Sequence, residues 1–245
     1  MWCVSKEGAS NYKEHLNDLK ALGENTVKLY SAHKERTVVV EGNIGSGKSS
    51  FLQYFDQHED IFVVPEPVEL WQNLRGHNLL DYMYKDPKRW ALTFQTYVQL
   101  TMLSMHSKKS KCPVKLMERS IWSAKHCFVE HLLNENILES AEYAVLCESF
   151  DMLMKLHKLD VDLIVYLQAS PETCFQRIKH RGRHEEANMS LQYLRHLHNL
   201  HEDWLVKCQR FLPPAPVMII NVERNKEELK HEFEKHRAEI MGSVI

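Results

Sequence analysis

The stretch Gly42-Asn43-Ile44-Gly45-Ser46-Gly47-Lys48-Ser49, preceded by the apolar run Thr37-Val38-Val39-Val40-Glu41, restricts this chain to few folds. It fits G-x-x-x-x-G-K-[ST], a loop between a strand and a helix whose backbone N–H groups close around phosphate. Glycine permits the tight winding that turns successive N–H groups inward. A helix beginning near Gly47 adds the positive end of its dipole. Lys48 would reach the β- and γ-phosphates, and the Ser49 hydroxyl would meet Mg²⁺. The loop predicts a bound nucleoside triphosphate and leaves open what is done with it.

At 245 residues the chain has the length of one sizeable core. The net charge of −2 gives no broad basic surface for nucleic acid or membrane. No apolar run reaches the length of a membrane span. Cys3, Cys112, Cys127, Cys147, Cys174 and Cys208 are scattered without a C-x-x-C pair, which suits a reducing compartment. Residues 1–36 differ in composition: they are polar with interleaved lysines and acids, and only Tyr12–Leu22 carries a weak helical pattern. Glu7, Glu14, Asp18 and Glu24 are unlike an Arg-rich, acid-poor transit peptide, so cytoplasm or nucleus is expected, with the mitochondrion as the alternative. The first 36 residues read as an extension and 37–245 as the folded domain.

Five short apolar runs read as buried parallel strands: Val38–Val40, Ile61–Val64, Val114–Met117, Leu163–Leu167 and Val217–Ile220. Between them lie helical patterns over Ser50–Gln57, Pro87–Ser107, Ser120–Asn134, Ser140–His157, Pro171–His180, Ser190–Arg210 and Lys226–Met241. The alternation predicts an α/β fold, a five-stranded parallel sheet with helices on both faces. Ligands of such sheets bind beyond the carboxyl ends of the strands.

The residues at those ends carry chemistry. The second strand runs into Pro65-Glu66-Pro67, where flanking prolines restrict the backbone of a carboxylate; it suits a rigid base and equally an exposed acid in a turn. The third ends in Glu118-Arg119-Ser120, an acid and a base that suit Mg²⁺ and phosphoryl charge, or a surface ion pair. After the fourth, Arg177, Lys179, Arg181, Arg183, Glu185 and Glu186 form either a solvated helix face or a lid over phosphates. His196, His198 and His201 match no zinc-binding spacing and are expected to be solvated or packing histidines.

Together these segments resemble the deoxynucleoside kinase family, nearest to its thymidine-kinase-2-like and insect multisubstrate branches. The resemblance rests on Glu41–Ser49, Glu66-Pro67-Val68-Glu69-Leu70-Trp71, Met83-Tyr84-Lys85-Asp86-Pro87, Phe94-Gln95-Thr96-Tyr97, Glu118-Arg119-Ser120 and the lid Arg181–Glu186, in order between Thr37 and Met241. It implies a P-loop kinase fold with an Arg-rich lid, and ATP-dependent phosphorylation of the 5′-hydroxyl of deoxynucleosides in nucleotide salvage. Gly42, Asn43, Ile44, Gly45, Ser46, Gly47, Lys48, Ser49 and Ser50, with Arg177, Arg181 and Arg183, would hold ATP. Ser49 and Glu118 would handle Mg²⁺. Glu66 would be the base, with Arg119 and Lys48 completing the catalytic set. Gln95 would read the nucleobase between Trp71 and Phe128, and Tyr84 and Glu186 would bind the sugar 3′-hydroxyl.

Val98, Met102 and Ala124 would floor the base pocket, where the apolar surface and the small Ala124 leave room for the thymine methyl. Thymidine and deoxycytidine are therefore expected to be preferred over purine deoxynucleosides. The resemblance also implies a homodimer; the amphipathic helices Ser120–Asn134 and Ser140–His157 would form either its interface or ordinary core packing. Lys125 stands where related sequences often carry Arg, and Lys179 and Gly182 thin the lid. A nucleoside monophosphate kinase would place an anionic substrate against Glu66, which argues against that reading. A non-catalytic relative would be expected to lack Lys48, Glu66 or Arg119, and all three are present.

Overall fold

A computed structural model describes residues 35–242, so the helix expected over Tyr12–Leu22 lies outside the described residues. The strands are β1 (Arg36–Glu41), β2 (Ile61–Val64), β3 (Val114–Glu118), β4 (Leu163–Gln168) and β5 (Val217–Asn221). They form one sheet in the order β2-β3-β1-β4-β5, with every neighbouring pair parallel. All five expected strands are found, most a residue or two longer than the apolar runs. Backbone pairing continues past the last apolar side chain, so Glu118 is the final residue of β3 and not the first of a loop.

Period-two alternation decides which face each strand residue covers. Val38 and Val40 join Phe51, Phe55, Cys174, Ile178, Leu194 and Phe233 on one face. Val39 joins Val64, Met105 and Met117 on the other. Helices therefore bury both faces of β1 and β4, which is why these strands lack polar alternation, whereas β5, expected to be buried like the others, lies at the sheet edge and leaves Ile219 exposed.

The helices are α1 (Lys48–Phe55), α2 (Val68–Gln72), α3 (Leu79–Lys85), α4 (Pro87–Ser107), α5 (Ile121–Ser123), α6 (Glu130–Asn134), α7 (Ser140–Leu156), α8 (Pro171–Arg181), α9 (Leu191–His201) and α10 (Lys226–Met241). Two expected helices are interrupted. The segment expected as one helix over Ser120–Asn134 widens to π-helical turns across Ala124–Val129, between α5 and α6. The one expected over Ser190–Arg210 leaves α9 through π-helical turns at Glu202–Val206 and stops before Cys208, whose φ is +52°. Helices α2 and α3 were not anticipated; neither is long enough to display a helical repeat. Starts follow local chemistry: Asp86 caps α4 with Pro87 in its first turn, and Ser170 caps α8 with Pro171 likewise.

Register sets up the site. Val64 pairs with Met117, so Glu66 and Arg119, each two residues further on, leave the sheet side by side. Val40 pairs with Glu118, so the phosphate loop emerges next to the same Glu118-Arg119 pair. Strand order reverses about β1, and the crevice opens at its carboxyl end, as the topology requires.

Candidate active site

One cavity of about 1720 Å³ runs from the phosphate loop to the apolar cluster beneath α4. Its walls include Ile44, Gly45, Ser46, Gly47, Lys48, Ser49, Ser50, Glu66, Trp71, Tyr84, Gln95, Val98, Met102, Glu118, Arg119, Ala124, Phe128, Arg177, Arg181, Arg183 and Glu186. Of the residues expected at the site, Gly42 and Asn43 are absent from these walls. Asn43 is buried behind the loop: its amide donates to the Leu194 carbonyl at 2.8 Å, and its side-chain oxygen accepts from Ile44 N–H at 2.8 Å.

The loop can be built only by glycine at two positions. Gly42 (φ +145°) and Gly45 (φ +79°) occupy conformations that side chains rarely adopt. A Cβ on Gly45 would lie 2.6 Å from the Cys174 carbonyl oxygen, and one on Gly42 would lie 2.8 Å from that of Leu167. Gly47 starts α1 without a side-chain cap, which leaves the first-turn N–H groups without a side-chain partner, a setting that suits an anion. Lys48 is buried, and its Nζ donates to the carbonyls of Gly42 (3.1 Å) and Asn43 (2.8 Å). Burial, and next Arg119, bring Lys48 down to about 8. Arg177 closes the loop from behind, donating to Ser46 O (3.2 Å) and Val222 O (2.8 Å).

At the end of the loop, Ser49 Oγ donates to Glu118 Oε1 at 3.0 Å, and both residues line the cavity. A hydroxyl and a carboxylate are hard oxygen donors of the kind Mg²⁺ takes, so the pair fits that ion. Arg119 Nε lies 2.9 Å from Glu66 Oε1, an ion pair whose angle falls short of a hydrogen bond. Arg119 NH1 donates to Gly42 O at 3.0 Å, and its guanidinium sits 4.8 Å above the Phe128 ring. Its backbone has φ +61°, an uncommon conformation for a residue with a side chain. Burial raises the Glu66 carboxyl, while Arg119 opposes that rise.

Trp71, Phe94, Val98, Met102, Ile121 and Ala124 form one apolar cluster. Trp71 is fixed by donating to Thr101 Oγ1 at 2.9 Å and by edge-on packing with Phe94. Gln95 is buried among these groups, and its Oε1 has no hydrogen-bond partner. Lys125, the departure noted above, is turned away from the cavity: it pairs with buried Glu130 at 2.6 Å, beside Tyr143.

The lid residues are brought together in an unforeseen way. Helix α8 ends at Gly182 (φ +66°), and Arg181 and Arg183 both pair with buried Glu186, at 2.6 and 2.9 Å. Glu185 accepts from Gln72 (2.9 Å) and Asn78 (3.1 Å), which ties the lid to α2 and α3. Tyr193, not singled out from sequence, also lines the cavity.

Glu41 is a further residue that the sequence reading placed only within the loop motif. It is fully buried at the end of β1, accepts from Ser120 Oγ at 2.5 Å, and leaves Oε2 unpaired. Burial pushes its carboxyl up to about 7, against the pull of Ser120 and Arg119. The folded protein thus holds this proton more tightly than the unfolded chain. The stabilisation is complete below about pH 4.5 and disappears as pH rises through about 7, amounting to about 3 kcal/mol. Glu41→Gln should therefore gain on wild type as pH rises from 5 to 8, read as the difference between their Tm values. A constant difference would show that Glu41 titrates normally.

A sequence model of the deoxynucleoside kinase family matches residues 38–244. Human mitochondrial thymidine kinase 2 is 47% identical over 214 residues, covering 87% of this chain and 81% of its own. Human deoxycytidine kinase is 35% identical, covering 84% of this chain and 91% of its own. Mitochondrial deoxyguanosine kinase of Xenopus laevis is also 35% identical, with coverage of 80% and 86%. Matches of this extent to enzymes that share one chemistry place the chain, a kinase acting on deoxynucleosides, in the deoxynucleoside kinase family.

Proposed function

We propose that this kinase moves the γ-phosphoryl group of ATP to the 5′-hydroxyl of pyrimidine deoxynucleosides, thymidine and deoxycytidine ahead of the purines, in nucleotide salvage. The pyrimidine reading rests on the buried, unpaired Oε1 of Gln95 in an apolar pocket. A buried amide with an open acceptor is costly until something donates to it. Its adjacent donor and acceptor suit the N3–O4 edge of thymine and, flipped, the N3–N4 edge of cytosine. Trp71 and Phe128 would stack on the base, and Val98, Met102 and Ala124 would receive the thymine methyl.

In this reading Lys48, the loop N–H groups and the start of α1 hold the triphosphate. Ser49 and Glu118 would hold Mg²⁺, which when bound would supply charge neutralisation at the phosphates. Glu66 accepts the 5′-hydroxyl proton, and Arg119 fixes both Glu66 and the attacking oxygen. Tyr84 and Glu186 take the 3′-hydroxyl, while Arg177, Arg181 and Arg183 meet the developing charge. Because Glu186 pairs with two of those arginines, sugar recognition and lid position are linked.

A homodimer through α4 and α7 is part of this reading; it is supported by Leu100, Val145, Met152 and Leu156, which are all more than half exposed there. The segment Ser120–Asn134, the other expected contact, is mostly buried within its own chain, so α7 carries this reading. The mitochondrial names of the relatives at 47% identity favour the mitochondrion over cytoplasm or nucleus. Among the described residues no helix is long and apolar enough to cross a membrane. Comparing kcat/KM for the four natural deoxynucleosides tests the base pocket: thymidine and deoxycytidine should lead by at least about tenfold, the worth of one well-placed polar contact. A deoxyguanosine preference would overturn the Gln95 argument.

A further inference from the structure

Away from the cavity, a ring nitrogen from His131, one from His196 and a carboxylate oxygen of Glu135 lie within 4.8 Å of one another. We propose that these three residues form a divalent-cation site of the zinc type, which clasps α6 to α9. His131 and Glu135 are one helical turn apart, so their side chains share a face of α6 and its end. His196 meets them from the middle of α9, with Nδ1 already 2.8 Å from Glu135 Oε1.

Two imidazoles and one carboxylate are a donor set that zinc accepts, with a fourth position left to water. His131 is buried, and its Nδ1 has no hydrogen-bond partner. Zinc bonds of about 2.0–2.2 Å put donor atoms roughly 3.3 Å apart, so the widest gap must close by about 1.5 Å. Glu135 and His196 can make that movement, since both side chains are more than a third exposed. Of the three clustered histidines on this helix, His196 alone belongs to the site: His201 is buried and bound to the Leu197 carbonyl. No short sequence spacing reveals the cluster, because His131 comes from a different helix.

The clasp would bear on the phosphate loop. Helix α9 holds that loop through Leu194 and Asn43. Tyr193, one turn before His196, packs edge-on against His131 at 4.7 Å and lines the cavity.

The test uses the full chain without an affinity tag. Zn²⁺ is titrated against a chromogenic chelator, and Co²⁺ is followed by the intense visible absorption of a tetrahedral site. One equivalent should bind, and a hundredfold excess of Zn²⁺ over its Kd should raise Tm by about 5 °C or more. Glu135→Gln and His196→Ala, at partly exposed positions, should each weaken binding at least about tenfold, while His157→Ala at an exposed site should not. Glu135→Gln keeps the size and polarity of a side chain that is more than a third exposed, so its metal-free Tm should match wild type. The absence of saturable binding, full affinity in His196→Ala, or an equal loss in His157→Ala would overturn the proposal.

Discussion

Glu66→Gln is expected to lower kcat by about a thousandfold, the range in which a general base contributes, while ATP binding stays intact. Glutamine has the size of glutamate and keeps a polar oxygen beside Arg119, so the architecture at the end of β2 should survive. What it loses is the capacity to take a proton. Pro65 and Pro67 hold the residue at the mouth of the sheet, and its side chain keeps 18% exposure, enough to meet a substrate. Burial raises this carboxyl from its ordinary range, so wild-type kcat should climb with pH until Glu66 is ionised. Steady-state kinetics with thymidine from pH 5 to 9 would show that limb in wild type and its loss in the variant. A variant kcat within tenfold of wild type would remove Glu66 as the base.

Arg119→Ala should damage both folding and turnover. The guanidinium is nearly enclosed, with Glu66, Glu41 and Glu118 the acids whose charge outweighs the effect of burial on it. Removing one partner from a buried ionic group costs about 3–5 kcal/mol, because the remaining charges lose their compensation. Arg119→Lys separates the two effects. Lysine restores a charge but has no planar fork to span Gly42 O and Glu66 together. Its Tm should recover most of the loss, with kcat still down about a hundredfold. Wild-type kcat in Arg119→Lys would show that the fork is dispensable.

Much of the fold could be read in advance because a doubly covered parallel strand has a simple signature. Val38–Val40 and Leu163–Leu167 are apolar without interruption since helices cover both faces, and the glycine loop after the first of them fixes the chain direction. The candidate site was legible where one residue type meets one chemical need, as with Lys48 in the glycine loop or Glu66 between prolines, both of which line the cavity. Pairings between segments were not. That Arg181 and Arg183 would share Glu186 depends on how the chain turns at Gly182. That Glu41 would be sealed beneath Ser120 depends on the β1–β3 register. Helices α2 and α3 escaped notice because one or two turns show too little of a helical repeat to be told from a loop. The interrupted helices escaped because a widened turn leaves side-chain chemistry unchanged.

The widened turns at Ala124–Val129 restrict how this gene can change in length. A π-helical stretch carries extra residue within an otherwise α-helical path. Deleting one codon there would let the segment relax to ordinary helix at little local cost. The residues of the widened turn would take new positions around the axis, each shifted by up to the roughly 100° that one helical residue turns, while the helix on either side kept its place. Phe128 would swing off the Arg119 guanidinium, and Lys125 would leave Glu130. Substitutions here can be tried singly, but insertions and deletions are shut out, and related sequences should align through this segment without gaps.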